Sequence, residues 1–514
     1  MALKIEAIIT LLKEHDLLKK VSGATTAVSF TNIEYDSRQV QDSGLFCCKG
    51  NFKPEYLTKA AQNGASGYLA EREFTDSALL GIIVTDVQKA MALLGAAFYG
   101  YPQNDLFIIA YTGTKGKTTS AYFTHATLAD STSHRTALFS TIDTVVGPDP
   151  EQRFKSHLTT PESLDVFKNM RAAVDNGMTH LVMEVSSQAY KKNRVYGLHF
   201  DVGIFLNISP DHIGANEHPT FADYLHCKEQ LLVNSTVCII NAETDHLTDV
   251  YQTAKATSQP EAIYLFARQG AQLARPLTVD FSYVSTADTL EHNAIRLTAE
   301  TARANDLAVA GDYQLSIAGD YNESNATASI IAAGLAGATA DQIARGLRTV
   351  LIPGRMESYR SAHHGTIYVD YAHNYASMHA LLGFLKRENP AGRVIVVVGS
   401  PGNKGEDRRE GFGKALSESA DAAFLTTDDP AFEDPETIAR EIDSYVDHDR
   451  VQIHFEMDRK QAIVRAIESA GPADMVVVAG KGRDPYQKVN GVDVPYETDS
   501  VVVKNILKGF KNNE

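Results

Sequence analysis

The stretch Gly113-Thr114-Lys115-Gly116-Lys117-Thr118-Thr119 gathers the residue types that a phosphate chain needs. Its glycines let the backbone turn N–H groups inward around phosphate oxygens. Lys117 adds a point charge near the β and γ phosphates, Thr118 offers a hydroxyl to Mg2+, and a helix opening there adds its positive end. The setting suits this reading. The apolar run Leu106 to Ala110 precedes the loop as a strand, and Thr119 to Leu128 reads as a helix. The strict phosphate-loop pattern wants glycine where this chain has Tyr111, which speaks against a generic nucleoside triphosphatase but not against a bound nucleotide.

Two other residues could serve a metal-bound nucleotide. Glu184 closes the run His180-Leu181-Val182-Met183 and so places a carboxylate at the C-terminal edge of a sheet, where open α/β folds bind ligands. His212, in Ser209-Pro210-Asp211-His212, follows another strand and stands beside an Asp, a setting for a metal or a phosphate. Taken singly, such a Glu is more often a cap or surface group and such a His more often structural.

A sheet must hold these residues at one edge. Apolar runs at Leu181 to Val185, Val202 to Ile208 and Val237 to Ile240, spaced by helix-length segments, predict a parallel α/β sheet. Ahead of it, β-like runs (Ala27 to Phe30, Ile82 to Val84) alternate with helical stretches, the first over Met1 to Leu18, up to the turn Tyr101-Pro102-Gln103-Asn104. Beyond Ile352-Pro353-Gly354-Arg355, the runs Ile367 to Val369, Val394 to Val398, Ala423 to Leu425 and Met475 to Ala479, with helices such as Arg459 to Ala470, predict a second doubly wound unit. At 514 residues the chain is too long for one core, and three α/β domains are expected, over residues 1–105, 106–352 and 353–514. The central one is a phosphate-loop ATP-binding domain with a parallel sheet, and the last is Rossmann-like.

The formal net charge of −16 argues against nucleic acid as a partner, while a local basic pocket can still take an anionic small molecule. No window approaches the roughly 20 apolar residues that span a bilayer, and the N-terminus has neither a signal-peptide core nor a twin-arginine start. Cys47, Cys48, Cys227 and Cys238 fit neither a disulfide framework nor a zinc site. A cytoplasmic protein with reduced thiols and no membrane insertion is expected.

Taken together, the motifs resemble those of the Mur ligases, the ATP-dependent amino-acid-adding enzymes of peptidoglycan synthesis. They are Thr112 to Thr119, Glu184-Val185-Ser186-Ser187, Asn207 to His212, Gly319-Asp320-Tyr321-Asn322 with Asn325, Pro353 to Glu357, Asp370 to Asn374 and Gly480-Lys481-Gly482. Tyr35 to Arg38, His157 to Glu162 and Asp428-Asp429-Pro430-Ala431 point to the member that adds the third residue, to UDP-N-acetylmuramoyl-L-alanyl-D-glutamate. The resemblance makes the first domain the UDP-binding one and the last the domain for the incoming amino acid. It implies that Ser37 contacts the uridine nucleotide, and that Thr159, Thr160, Ser187 and Arg194 hold the muramoyl-dipeptide. It assigns Asn325 to the adenine region, Arg355 to the phosphates and Asp370 to the ribose, with ATP in a cleft that closes. A monomer is expected.

The implied chemistry is an acyl phosphate made by attack of the substrate carboxylate on the γ-phosphate, then displacement of phosphate by an amine. The first step brings two anions together, so charge neutralisation and positioning should dominate. Lys117 and two Mg2+ ions would supply it, one ion at Thr118 and Glu184 and the other near His212. Lys228 matches the lysine that the family carries as a CO2-derived carbamate, an anion able to support Mg2+; without the resemblance it would read as a solvated helix lysine.

In the family, members adding meso-diaminopimelate carry an Arg closing an Asp-Asn-Pro-Arg motif. Here Asp428, Asp429, Pro430 and Ala431 take those places, and alanine offers no charge to a second carboxylate. The charge logic favours L-lysine, with ornithine one methylene away and worth only ~1–3 kcal/mol of discrimination. Gly480 and Asp484 would stand near the amino acid, and Lys404, Arg408 or Arg409 would hold its α-carboxylate. Arg483 is a nearby cation that could instead favour diaminopimelate. The other readings are a folylpolyglutamate synthase-like ligase and a Mur-like protein that binds nucleotide without catalysis. The domain ahead of the loop speaks against the first, and the intact Lys117, Thr118, Glu184 and Lys228 against the second.

Overall fold

Val394–Val398 and Met475–Ala479 carry no polar side chain and are buried at every residue. Such runs suit a parallel sheet covered on both faces, and the two strands pair in parallel. The computed structural model describes residues 1–511 other than 24, 26, 27, 212, 215, 216, 275, 290, 291, 318 and 406, with only the backbone at 320, 407 and 511. It divides into two compact units, one of residues 1–285, 295–314 and 321–350, the other of 286–294, 315–320 and 351–514.

In the second unit the six strands run in the order Glu357–Ser361, Gly365–Asp370, Met475–Ala479, Val394–Val398, Ala422–Leu425 and Gln452–Phe455. Only the first pair is antiparallel. Alternate residues of the central strands feed two cores. Val396 and Val477 pack with the helices Tyr375–Glu388 and Asp407–Ser419, while Val397 and Val478 pack with Arg459–Ser469 and Asp499–Lys511.

In the first unit the N-terminal stretch forms a five-stranded sheet in the order Leu18–Ser22, Leu80–Val84, Ala65–Ala70, Gly44–Cys47 and Asn32–Glu34. The helix expected over the first 18 residues is shorter, Ile5–Glu14, and buries Ile5, Ile8 and Leu12; the chain then enters the strand Leu18–Ser22. Ala27, the expected start of a strand, lies outside the described residues, and the strand seen there is Ser29–Phe30.

The functional edge lies in an eleven-stranded sheet. Phe107–Thr112 lies between His180–Glu184 and Phe200–Phe205, parallel to both. The chain leaves this central strand for the phosphate loop, so the loop opens at the switch point where flanking connections diverge. The apolar run after Val202 ends as strand at Phe205, because the backbone beyond it bonds to the phosphate loop: Thr114 N–H donates to Asn207 O at 3.1 Å.

The helix Lys117–Leu128 behind the loop is crossed closely by Ala340–Thr349. At the crossing stands Gly346, where a Cβ would meet Ala126 O and Thr127 Cα at 2.6 Å each. Among the described residues no helix is long and apolar enough to cross a membrane, and the four cysteines are buried free thiols.

This close approach makes a prediction. Gly346→Ala should force the two helices apart and lower the unfolding free energy by ~1–3 kcal/mol in urea titration, as overpacking does. Unchanged stability would mean that the crossing does not constrain the phosphate-loop helix.

Candidate active site

Gly113 and Gly116 hold φ of +155° and +85°, the second in the left-handed region that glycine favours. Gly116 caps Lys117–Leu128 and lies so close to Asn325 that a Cβ would meet Asn325 Oδ1 at 2.2 Å. Asn325, assigned by resemblance to adenine, therefore stands behind the phosphate loop. Asn207 closes the loop from the other side: its Oδ1 accepts from Lys115 N–H at 2.9 Å and its Nδ2 donates to Lys115 O at 3.0 Å. Thr114 Oγ1 accepts from Ser209 N–H at 3.0 Å and lies 3.1 Å from the Tyr224 hydroxyl. Tyr111, the departure from the phosphate-loop pattern, is fully buried in its strand and hydrogen-bonded to Thr124, so its bulk lies in the core and not in the loop.

Two lysines share one carbonyl. Lys117 Nζ donates to Gly113 O at 2.8 Å and Lys228 Nζ to the same oxygen at 2.7 Å. Lys228 projects from the helix Phe221–Val233, is almost completely buried and packs over the Tyr224 ring. Burial, then the charge of Lys117, push its ammonium well below the usual lysine range. Glu184, fully buried at the end of its strand, accepts from Thr141 N–H at 2.7 Å and Thr141 Oγ1 at 3.1 Å. Burial raises its carboxyl, and Lys117 followed by the Thr141 backbone and the Thr118 and Thr141 hydroxyls pull it back. Thr118 Oγ1 and the Glu184 carboxylate are hard oxygen donors of the kind Mg2+ takes. His212 lies outside the described residues.

Beside Glu184, Thr160 Oγ1 donates to Glu184 O at 3.0 Å and accepts from Ser186 N–H at 3.0 Å, while Thr159 Oγ1 accepts from Thr141 Oγ1 at 3.0 Å. Ser187 Oγ lies 2.9 Å from His218 Nε2. Arg194 forks onto Glu162, with Nη2 at 2.9 Å, and Lys49 takes the other Glu162 oxygen at 2.7 Å. Ser37 is buried in the turn after Asn32–Glu34, its carbonyl accepting from Asn63 Nδ2 at 2.9 Å.

In the second unit, Asp370 is buried and accepts from Met356 N–H at 2.9 Å and Ala372 N–H at 2.8 Å; burial raises its carboxyl against the charge of Arg355. The Arg355 guanidinium lies 5.5 Å from the Tyr371 ring centroid. Lys481, buried, sits among three carboxylates: Asp429 at 2.7 Å, Asp428 at 3.4 Å and Asp484 at 3.6 Å. Burial opposes its charge, and the three acids more than restore it. Gly480 keeps space beside them, since a Cβ there would lie 3.1 Å from Asp428 Oδ2. Pro430 O accepts from Glu433 N–H at 2.9 Å, and Ala431 is held at φ +52° by bonds to Lys488 and Asn490. The loop carrying Lys481 is anchored by the buried pair of Arg459 and Asp499, whose Oδ2 also accepts from Gly482 N–H at 3.0 Å.

Comparison with known proteins accords with this geometry. Residues 111–333 match the Mur ligase middle domain and residues 354–482 the Mur ligase glutamate ligase domain. A UDP-N-acetylmuramyl-tripeptide synthetase of Ligilactobacillus salivarius is 62% identical over 509 residues, covering 99% of this chain and 100% of that one. The chain belongs to the Mur ligase family. The UDP-N-acetylmuramoyl-L-alanyl-D-glutamate–L-lysine ligase of Enterococcus faecalis is 48% identical, with 99% of each chain covered. Among solved structures, a UDP-N-acetylmuramoyl-L-alanyl-D-glutamate–2,6-diaminopimelate ligase aligns with a TM-score of 0.65 at 25% identity, over 99% of this chain and 100% of that one. Mur ligases are ATP-dependent enzymes that form amide bonds, and this chain is one of them.

Against the Mur pattern, the expectation for Arg409 as a carboxylate holder needs correction. Its guanidinium is nearly buried and tied to Glu433 at 2.8 Å and to Glu441, bracing the loop after Val394–Val398. Of the other two, Lys404 lies near enough to favour the charged form of Asp429, whereas the Arg408 backbone N–H donates to Gly405 O at 3.0 Å. Arg194 likewise has its guanidinium forked onto Glu162. Asn207 and Lys481 stand in the motifs quoted from the sequence, without a role of their own, and Thr141 and His218 stand in none that were given a role. Nothing in their local sequence marks them, because each acts on a partner far along the chain.

The clamp on the phosphate loop is testable. Asn207→Ala should lower kcat/KM for ATP by ~10- to 100-fold, since it removes two hydrogen bonds that position the loop. A change smaller than about 2-fold would show that the loop holds its shape without the clamp.

Proposed function

We propose that this protein joins L-lysine to UDP-N-acetylmuramoyl-L-alanyl-D-glutamate, converting ATP to ADP and phosphate, in cytoplasmic peptidoglycan precursor synthesis. The observation that carries the lysine assignment is the acidic cluster of the second unit. Three carboxylates surround the single ammonium of Lys481, and Ala431 stands where the resemblance puts an arginine in diaminopimelate-adding members. Arg483, the cation that could have taken a second carboxylate, donates instead to Glu357 from Nε at 2.7 Å and Nη2 at 3.2 Å. The local charge suits a side chain ending in an ammonium and repels one ending in a carboxylate.

The reaction divides between the two units. In the first, the muramoyl-dipeptide carboxylate attacks the γ-phosphorus of ATP and ADP leaves, giving an acyl phosphate. Lys117 and the loop N–H groups offset the charge that gathers there. In the second, the cluster around Lys481 orients lysine, with Lys404 offered to its α-carboxylate. The deprotonated α-amine then adds to the acyl carbon, and the tetrahedral intermediate expels phosphate. Thr118 and Glu184 would hold Mg2+, which supplies neutralisation of phosphate charge. Lys228 fits a CO2-derived carbamate: burial and Lys117 favour the neutral amine, the form that adds to CO2, and the product is an anion facing Lys117. Residues 1–105, 106–352 and 353–514 are assigned to the UDP-muramoyl substrate, ATP and the amino acid, in a monomer.

A steady-state assay with UDP-N-acetylmuramoyl-L-alanyl-D-glutamate, ATP and L-lysine, L-ornithine or meso-diaminopimelate tests this reading. Lysine should exceed ornithine in kcat/KM by ~10-fold or more and diaminopimelate by ~1,000-fold or more. Faster consumption of diaminopimelate would refute the lysine assignment.

A further inference from the structure

Behind Ser187 runs a line of polar contacts, through His218, Asp223 and Lys191, to which the proposed reaction gives no role. Its Oγ lies 2.9 Å from His218 Nε2, and His218 Nδ1 lies 2.6 Å from Asp223 Oδ2. That same Asp223 oxygen accepts from Lys191 Nζ at 2.6 Å. His218 is fully buried, and its ring meets that of Tyr224 edge to face at 5.2 Å.

The chemistry of the line assigns each proton. A carboxylate only accepts, and Lys191 followed by His218 holds Asp223 below the usual carboxylate range, so Nδ1 carries the proton of that bond. With that proton on Nδ1, the neutral form of the ring has Nε2 as an acceptor, and it is this form that acts on Ser187. The Ser187 hydroxyl must point its proton at His218, which leaves only lone pairs on its oxygen for a ligand. A serine fixed this way accepts from an N–H or O–H and cannot donate to a carboxylate or carbonyl.

We propose that His218, oriented by Asp223, is a positioning residue that fixes Ser187 as a hydrogen-bond acceptor for an N–H or O–H group of the UDP-muramoyl-dipeptide. The inference rests on that substrate being the one proposed above. A histidine that merely filled the core would also be buried and bonded, but its loss would not act through Ser187.

A double-mutant cycle separates the two roles. Ser187→Ala should raise KM for the UDP-muramoyl-dipeptide by ~10-fold and leave KM for ATP within ~2-fold. His218→Asn, whose shorter amide reaches Asp223 but not Ser187, should do the same, and the double variant should be no worse than either single one. His218→Gln, whose amide can reach Ser187, should recover part of the loss. Should His218→Asn fail to fold, Asp223→Asn serves instead. It lets the proton move to Nε2 and should raise the same KM in the presence of Ser187 but not in the Ser187→Ala background. Penalties that multiply in the double variant, KM values for both substrates that rise together, or a Ser187→Ala enzyme with unchanged KM would each overturn the inference. A wild-type protein that does not turn over the UDP-muramoyl-dipeptide would instead overturn the proposed function.

Discussion

The Gly113 carbonyl takes a hydrogen bond from Lys117 and another from Lys228, and much of the first unit is arranged around that shared oxygen. Two ammonium groups meeting at one acceptor repel each other, and the buried one, Lys228, cannot spread its charge into water. Burial, then the charge of Lys117, push the ammonium of Lys228 well below the usual lysine range. Burial raises the Glu184 carboxyl, and Lys117, the Thr141 backbone and the Thr118 and Thr141 hydroxyls oppose that rise. An anionic phosphate chain placed there would meet a prepared field. A neutral amine beside it would be ready for CO2.

The frame exists to make that meeting reproducible. Parallel pairing sets Glu184 level with Tyr111, one residue before Thr112 and the loop, and Asn207 lies just past the neighbouring strand on the other side. Asn325 backs Gly116, and the Gly346 crossing brings a second helix against the one that the loop opens. The second unit solves a similar problem with opposite signs: Lys481 gathers three carboxylates, and Arg459 with Asp499 anchors the loop that delivers it. Breaking the Arg459–Asp499 pair would leave a buried charge uncompensated, a penalty of ~3–5 kcal/mol.

How much of this could be read along the chain follows from distance in sequence. The phosphate loop was legible because its strand, glycines, lysine and helix are consecutive. The strands of the second unit were legible because residues buried on both faces leave an unbroken apolar run, as at Val394–Val398. Asn207 acts across 92 residues on Lys115, Thr141 across 43 on Glu184, and Lys481 across 52 on Asp429, and no local pattern encodes such pairings. The same blindness misplaced Arg409. A cation in a loop looks available until Glu433 and Glu441, 24 and 32 residues away, are seen to hold it.

The account depends most on the proposed conversion of Lys228 by CO2 to an anionic carbamate. The direct measurement is 13C NMR of the protein equilibrated with 13C-bicarbonate, set beside a Lys228→Met variant. The account predicts one carbamate carbon resonance in the wild-type protein that is missing from the variant, and loss of ligase activity when CO2 is stripped from the wild type. A wild-type spectrum without that resonance, from protein whose activity does not respond to CO2, would contradict it.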